Sequence, residues 1–161
     1  MSHIHIRPAV EDDIPVILDF IHGLAEYEKA RAEEVPVDQA VLRESLFGAR
    51  PAAEALLAEV DGETAGLALF FHNFSTWHGR RGLYLEDLFV RPAMRGRGIG
   101  KALLCELAHI AMERGCARME WAVLDWNTPA IDFYRSLRAV PMDEWTIFRL
   151  TGPAIGGLAG R

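Results

Sequence analysis

The chain has 161 residues, half of them hydrophobic and a quarter charged, with a formal net charge of -6 at pH 7. That length fits one domain, residues 1–161, with a core of its own, and the balance excludes a disordered chain. No apolar run approaches the ~20 residues of a membrane span, and an acidic chain without a basic stripe argues against nucleic-acid partners.

His3 to Arg7 alternates and predicts a first strand, followed by an amphipathic helix over about 11–29 with Ile14, Ile17, Leu18, Ile21, Leu24 and Ala25 at helical spacing. A second helix is expected from Asp38 to Phe47, with Asp38 near its start and Gly48 after its end. Ala55 to Val60 and Thr64 to Phe71 read as strands joined by the hairpin signal Asp61-Gly62. Leu83 to Val90 is a further strand. A loop with Pro92 and the glycines from Gly96 to Gly100 precedes a helix over Lys101–Arg114, with Gly115 as its C-cap. Met119 to Leu124 reads as a short strand. Thr128-Pro129 reads as an N-cap and first helical residue, opening a helix to about Leu137. Glu144 to Leu150 is expected to close as a strand, and the glycine-rich tail from about 152 to be loose. Early hairpin strands and later alternation with helices predict a mixed α/β sheet with helices on both faces. Cys105 and Cys116 stand about eleven residues apart along one helix, ~16 Å, too far to bridge. Met1 to His5 carries no signal-peptide pattern, so the expected compartment is the cytoplasm.

The most informative stretch is Leu83 to Val90, Arg91 to Met94, then Arg95-Gly96-Arg97-Gly98-Ile99-Gly100-Lys101. A strand, a glycine-rich turn and an abrupt helix make an anion site, because glycine lets the backbone approach and the first helical N–H groups point outward. Arg95, Arg97 and Lys101 add positive charge, and a pyrophosphate fits. A Walker loop would need glycine at 95 and Ser or Thr at 102, where Arg95 and Ala102 stand. The dinucleotide fingerprint needs glycines two and then three apart, whereas Gly96, Gly98 and Gly100 are two and two apart. A tight loop that binds nothing is the alternative for this segment taken alone.

Arg95-x-x-Gly98-x-Gly100 resembles the acetyl-CoA signature of the GNAT superfamily of N-acetyltransferases. Its second half resembles that superfamily too: Met119 to Asp125 leads through Trp126-Asn127-Thr128-Pro129-Ala130 to the aromatic pair Phe133-Tyr134. Ile6-Arg7-Pro8-Ala9, Leu24-Ala25-Glu26-Tyr27-Glu28 and Tyr84-Leu85-Glu86-Asp87 extend the likeness to the diamine acetyltransferase group, over about residues 4 to 150. That group includes the spermidine/spermine and the thialysine N-acetyltransferases. Ser75-Thr76-Trp77 and Val123-Leu124-Asp125-Trp126-Asn127 look closer to the thialysine branch. Two positions depart. Ser75 stands where the polyamine branch carries an acid, and Arg138 stands where the family has glycine.

The resemblance implies the superfamily's fold, a mixed, mostly antiparallel sheet splayed at the acetyl-CoA site. It also implies acetyl-CoA as cosubstrate, a small-molecule amine as acceptor and a homodimer. A primary amine of pKa about 10.4 must lose a proton before it attacks. Glu86 matches the substrate-side acid that would hold the ammonium and take that proton; a solvated strand acid is the other reading. Tyr134 matches the general acid that protonates the leaving sulfur, its phenol of pKa about 10 keeping the proton at pH 7; a packed helix aromatic is the other reading. The backbone of Leu88, Phe89 and Val90 would hold the pantetheine arm, with Asn127, Thr128, Pro129 and Ala130 on its other side, and residues 95–101 the phosphates. Strand alternation sets Tyr84, Glu86 and Leu88 on one face and Leu83, Leu85, Asp87 and Phe89 on the other, unless a bulge breaks the parity. Asp87 reads as structural. Tyr27 and Glu28 match substrate-facing positions. Trp77 with His78 would wall the amine pocket or meet another subunit. No metal is expected, since the histidines show no ligand spacing with Cys or acids. Acetylation of a protein lysine or N-terminus, or a CoA-binding module without catalysis, are the rival readings.

Overall fold

The computed structural model describes residues 3–161. They form two compact units, one ending at Ala122 and one running from Val123 to Arg161. The first unit contains β1 (Ile4–Pro8), α1 (Ile14–Tyr27), α2 (Gln39–Phe47), β2 (Glu54–Val60), β3 (Glu63–Ser75), β4 (Arg80–Val90), α3 (Ile99–Glu113) and β5 (Met119–Trp121). The strands lie side by side in chain order. Neighbours are antiparallel except β4 and β5, which run parallel. The result is the open mixed sheet expected, with helices on both sides.

The helical period explains which face each helix covers. Ile14, Ile17 and Phe20 recur every three residues of α1 and are fully buried against Leu57, Leu67, Leu69 and Phe89, with Leu42 and Leu46 of α2 completing that core. Burying each such side chain contributes roughly 1.5–3 kcal/mol. Gly66 points the other way, toward α3, where a Cβ would meet Ile99 and Leu103 at 3.2 and 3.3 Å. Two ends were set locally as expected. Asp38 caps α2 by accepting from the Val41 amide at 2.9 Å, and Asp61 and Gly62 take φ of 52° and 85°, the left-handed pair that a tight hairpin needs. The β1–α1 turn is held by Asp13, which accepts from Arg7 Nη1 at 2.7 Å, Arg7 Nη2 at 3.0 Å and the Val10 amide at 2.7 Å. The Arg7 guanidinium accordingly keeps the Asp13 carboxyl below its usual range.

The second unit contains α4 (Thr128–Ser136) and α5 (Pro153–Leu158). Here three expectations are corrected. The N-cap of α4 is Asn127, whose side chain accepts from the Ala130 amide at 3.4 Å, so Thr128 and Pro129 are already helical. Glu144 to Leu150 forms no strand. The segment is rich in β-branched and aromatic residues, but an isolated extended segment has no ladder to satisfy its backbone, and Trp145, Ile147 and Phe148 remain exposed. Within the tail, Pro153–Leu158 forms a short helix, with Pro153 at the first position, where its missing N–H costs nothing. The strand expected over Met119–Leu124 also stops early, at Trp121.

Arg138 adopts φ of 66° just past α4, in the conformation glycine favours. The amide of Ala139 closes the helix end on the Tyr134 carbonyl at 3.1 Å. Left-handed geometry costs a residue with a β-carbon about 1–2 kcal/mol, part of which glycine returns as unfolded-state entropy. Arg138→Gly is therefore expected to raise stability by about 0.5–1 kcal/mol in thermal unfolding; a lowered melting temperature would contradict this.

Candidate active site

The parallel pairing of β5 on β4 covers only Leu83, Leu85 and the residue between, and ends at Leu85–Trp121. Beyond it, residues 86–90 of β4 have no strand on that edge among the described residues, so the sheet opens there. The ladder with β3 breaks at the same place. Leu85 faces Phe70 and Asp87 faces Leu69, so Glu86 is the extra residue of a β-bulge.

This corrects the expected faces. Opposed residues share a face, so Leu83 and Leu85 lie on the α3 side with Phe70, while Asp87 and Phe89 lie on the α1 side with Leu69 and Leu67. Glu86 itself is exposed. Asp87 is partly buried, and burial, then the charges of Glu86 and Glu28, push its carboxyl up to about 6. Glu28 follows Tyr27 at the end of α1, and burial, then Glu86, raises its carboxyl too. Three acids from two elements thus form one negative field beside the open edge, which suits a cation.

The raised Asp87 has a direct thermodynamic reading. The folded state holds its proton up to about pH 6, against an ordinary value of 3.8. Ionised Asp87 therefore opposes folding above pH 6; the opposition fades as the pH falls through 6 and is absent below about 4. Asp87→Asn should melt higher than the parent at pH 8, by at most about 3 kcal/mol, and match it near pH 4. Equal melting temperatures at both pH values would refute the assignment.

After β4, one turn of 3-10 helix over Pro92–Met94 leads into the glycine loop. Gly96 and Gly98 have φ of 75° and 82°, and a Cβ at either would meet nothing within 4 Å. Gly98 is the N-cap of α3, which begins at Ile99, two residues earlier than expected. Among the described residues, the backbone N–H groups of Gly96, Gly98, Ile99, Gly100 and Lys101 make no hydrogen bond to a backbone carbonyl. The loop is an open cradle of amides at a helix N-terminus, with Arg97 and Lys101 exposed beside it. A pyrophosphate-bearing group fits these donors in charge and in room. Arg95 takes a different place: its Nε donates to the Val90 carbonyl at 3.0 Å, and its guanidinium lies 4.9 Å over the Tyr27 ring.

Trp77 sits in the turn between β3 and β4, 87% exposed, with Ser75 Oγ and His78 Nδ1 2.8 Å apart beside it. The six steps from Arg80 to Glu86 span about 20 Å of strand. Trp77 thus stands at the far end of β4 from Glu86. In the second unit, Asn127, Thr128, Pro129 and Ala130 form the cap and first turn of α4, and Phe133 and Tyr134 lie on the same helix with ring centroids 5.6 Å apart. Among the described residues no group of three or more His, Cys, Asp or Glu could hold a metal ion, and no helix is long and apolar enough to cross a membrane. Sequence reasoning missed the part of Gly23, whose missing side chain makes room for Phe89; an added Cβ would stand 2.9 Å from the Phe89 ring.

The model of the GNAT acetyltransferase family matches residues 21–138. The chain belongs to that family. The acetyl donor the family implies is acetyl-CoA, in keeping with the amide cradle. The chain is 40% identical to the thialysine N-epsilon-acetyltransferase of Bos taurus over the full length of both, and 35% identical to that of Caenorhabditis elegans over 99% of each. It is 31% identical to the L-ornithine N5-acetyltransferase NATA1 of Arabidopsis thaliana, over 93% of this chain and 85% of that protein. Among solved structures, an integron cassette protein from the mobile metagenome of V. cholerae aligns with a TM-score of 0.80 at 24% identity, over 98% of each chain. At that identity the likeness carries the fold alone. The chain is an N-acetyltransferase.

Proposed function

We propose that this enzyme transfers an acetyl group to the primary amine of a lysine-like amino acid such as thialysine, or of a short diamine. The observation that carries the reading is the pairing, in one unit, of the open amide cradle at residues 96–101 with three acids, Glu28, Glu86 and Asp87, at the opened edge of β4. The full-length likeness to thialysine and ornithine acetyltransferases, all acting on amino acids with a side-chain amine by their names, supports the same substrate class.

Acetyl-CoA supplies the activated acetyl thioester. Residues 96–101 hold its phosphates through backbone N–H groups, with Arg97 and Lys101 adding charge. The unpaired β4 edge at Leu88, Phe89 and Val90 would receive the pantetheine arm, a role the family resemblance also gives to Asn127, Thr128, Pro129 and Ala130 of the second unit. Glu86 holds the incoming ammonium and takes its proton, directly or through a water molecule. Exposed and outside the ladder, it can meet a solvated amine without leaving a buried charge unpaired. Tyr27 and Glu28 orient the rest of the amine. By the family resemblance Tyr134 would give its phenolic proton to the departing CoA sulfur, after the amine nitrogen has bonded to the acetyl carbon. A cytoplasmic homodimer completes the proposal. Exposed Trp145, Ile147 and Phe148, close together along one segment of the second unit, support the dimer as apolar surface for a second copy to cover.

The test is acetyl-CoA turnover with amino acids, diamines and polyamines, thiol release being followed and the products identified by mass spectrometry. Saturable release with acetylated thialysine, ornithine or a short diamine is expected. Turnover confined to protein acceptors, or CoA binding with no release, would overturn the proposal.

A further inference from the structure

Two arginines leave the end of β4, and both turn toward α1 instead of the open loop. Arg91 donates through Nε to the Thr64 carbonyl and pairs through Nη1 with Asp19, each at 3.0 Å, while its guanidinium lies 4.6 Å over the Phe20 ring. Arg95 repeats the arrangement one loop later. Its Nε donates to the Val90 carbonyl at 3.0 Å, and its guanidinium stands 4.9 Å from the Tyr27 ring and 5.4 Å from that of Phe89. Phe20, Gly23 and Tyr27 are three and four residues apart and share one face of α1. At its middle the Phe89 ring seats against Gly23. The last two turns of α1 are thus held to the exit of β4 by one ring and two cations.

We infer that Arg95 is a positioning residue for the amine side: stacked on Tyr27, it fixes the end of α1, and Glu28 with it, against the strand that carries the acetyl-CoA loop. The inference rests on the proposed entry of the amine beside Tyr27 and Glu28. The phosphate charge then falls to Arg97 and Lys101, which have no carboxylate partner among the described residues. The end of α1 needs such a hold. The helix closes with Lys29 at φ of 63°, a strained conformation for a residue with a side chain, and with 2.9 Å bonds from the Glu28 and Ala30 amides to Leu24 and Ala25. Arg95 and Tyr27 are both exposed at their edges, so the contact carries a modest effect, about two- to five-fold in an equilibrium constant.

Arg95→Gln, Tyr27→Leu and the double variant test this through three readouts: KM for the amine, Kd for CoA by calorimetry, and hydrogen exchange at residues 25–30 without substrates. Each single change is expected to raise the amine KM about two- to five-fold. Each should also speed exchange at Glu28 and Ala30 and leave the CoA Kd within about two-fold. The double variant should be no worse than the more affected single, as partners in one contact behave. Additive effects would overturn the inference. So would a loss of CoA affinity of about tenfold or more in Arg95→Gln with exchange unchanged. Exchange needs no turnover. If the parent acetylates no small amine, the proposed function fails, and the exchange rates still decide the contact: faster in Arg95→Gln upholds it, unchanged refutes it.

Discussion

Gly98→Val is expected to weaken CoA binding at least about a hundredfold, to the point where calorimetry detects none, while the protein remains folded. The residue has φ of 82° and ψ of 7° and caps α3. A β-carbon there costs about 1–2 kcal/mol of backbone strain, which a whole domain can absorb. Apart from its chain neighbours that carbon meets no protein atom within 4 Å, so the side chain leaves the backbone into open space. That space is where the amides of residues 96–101 face outward, and where a phosphate must come within about 3 Å of them. The loss is thus one of access and not of folding, and a thermal melt separates the two. Gly100 provides the contrast. It lies within α3 at ordinary helical geometry, and a Cβ there meets only Val90, at 3.9 Å. Tight CoA binding by folded Gly98→Val would remove the cradle from the cofactor site, and the proposed mechanism with it.

The second large effect is on turnover. Tyr134→Phe should lower kcat by roughly 10²–10⁴ while the CoA Kd stays within about two-fold, the signature of losing a proton donor and nothing else. Phenylalanine preserves the ring that lies 5.6 Å from Phe133, so α4 keeps its packing, and its Asn127 cap is untouched. Only the hydroxyl disappears. Without it a thiolate must leave unprotonated or take its proton from water. A variant with full turnover would strip Tyr134 of the role.

Features written in a few adjacent residues were legible before the fold was known. Asp38 capping α2, Asp61-Gly62 turning the hairpin and Gly115 ending α3 at φ of 66° each follow from one side chain or its absence. The conformation of the glycine loop was legible for the same reason, while its ligand came only through the resemblance to the family signature. What depended on distant partners was not. Glu144 to Leu150 has the aromatic and β-branched residues of a strand, yet a strand exists only where a neighbour completes its hydrogen bonds. The bulge at Glu86 has no local signature, because nothing in Leu85-Glu86-Asp87 says that β3 will pair past one residue. Arg95 was read by its charge and its place in the motif. Its contact with Tyr27 depends on α1 folding back across β4, and only the spacing of Phe20, Gly23 and Tyr27 hinted at such a face.

The extra residue at Glu86 also gives β4 one point where its length can change. Removing Glu86 alone would rejoin the ladder in even step, with Leu85 still opposite Phe70 and Asp87 still opposite Leu69. Phe89 would then stay opposite Leu67, on the side of Ile14, Ile17 and Phe20. Deleting this one amino acid should therefore spare the packed faces of the sheet, whereas a deletion within the unbroken stretch from Asp87 to Val90 has no spare residue on its far side to absorb it.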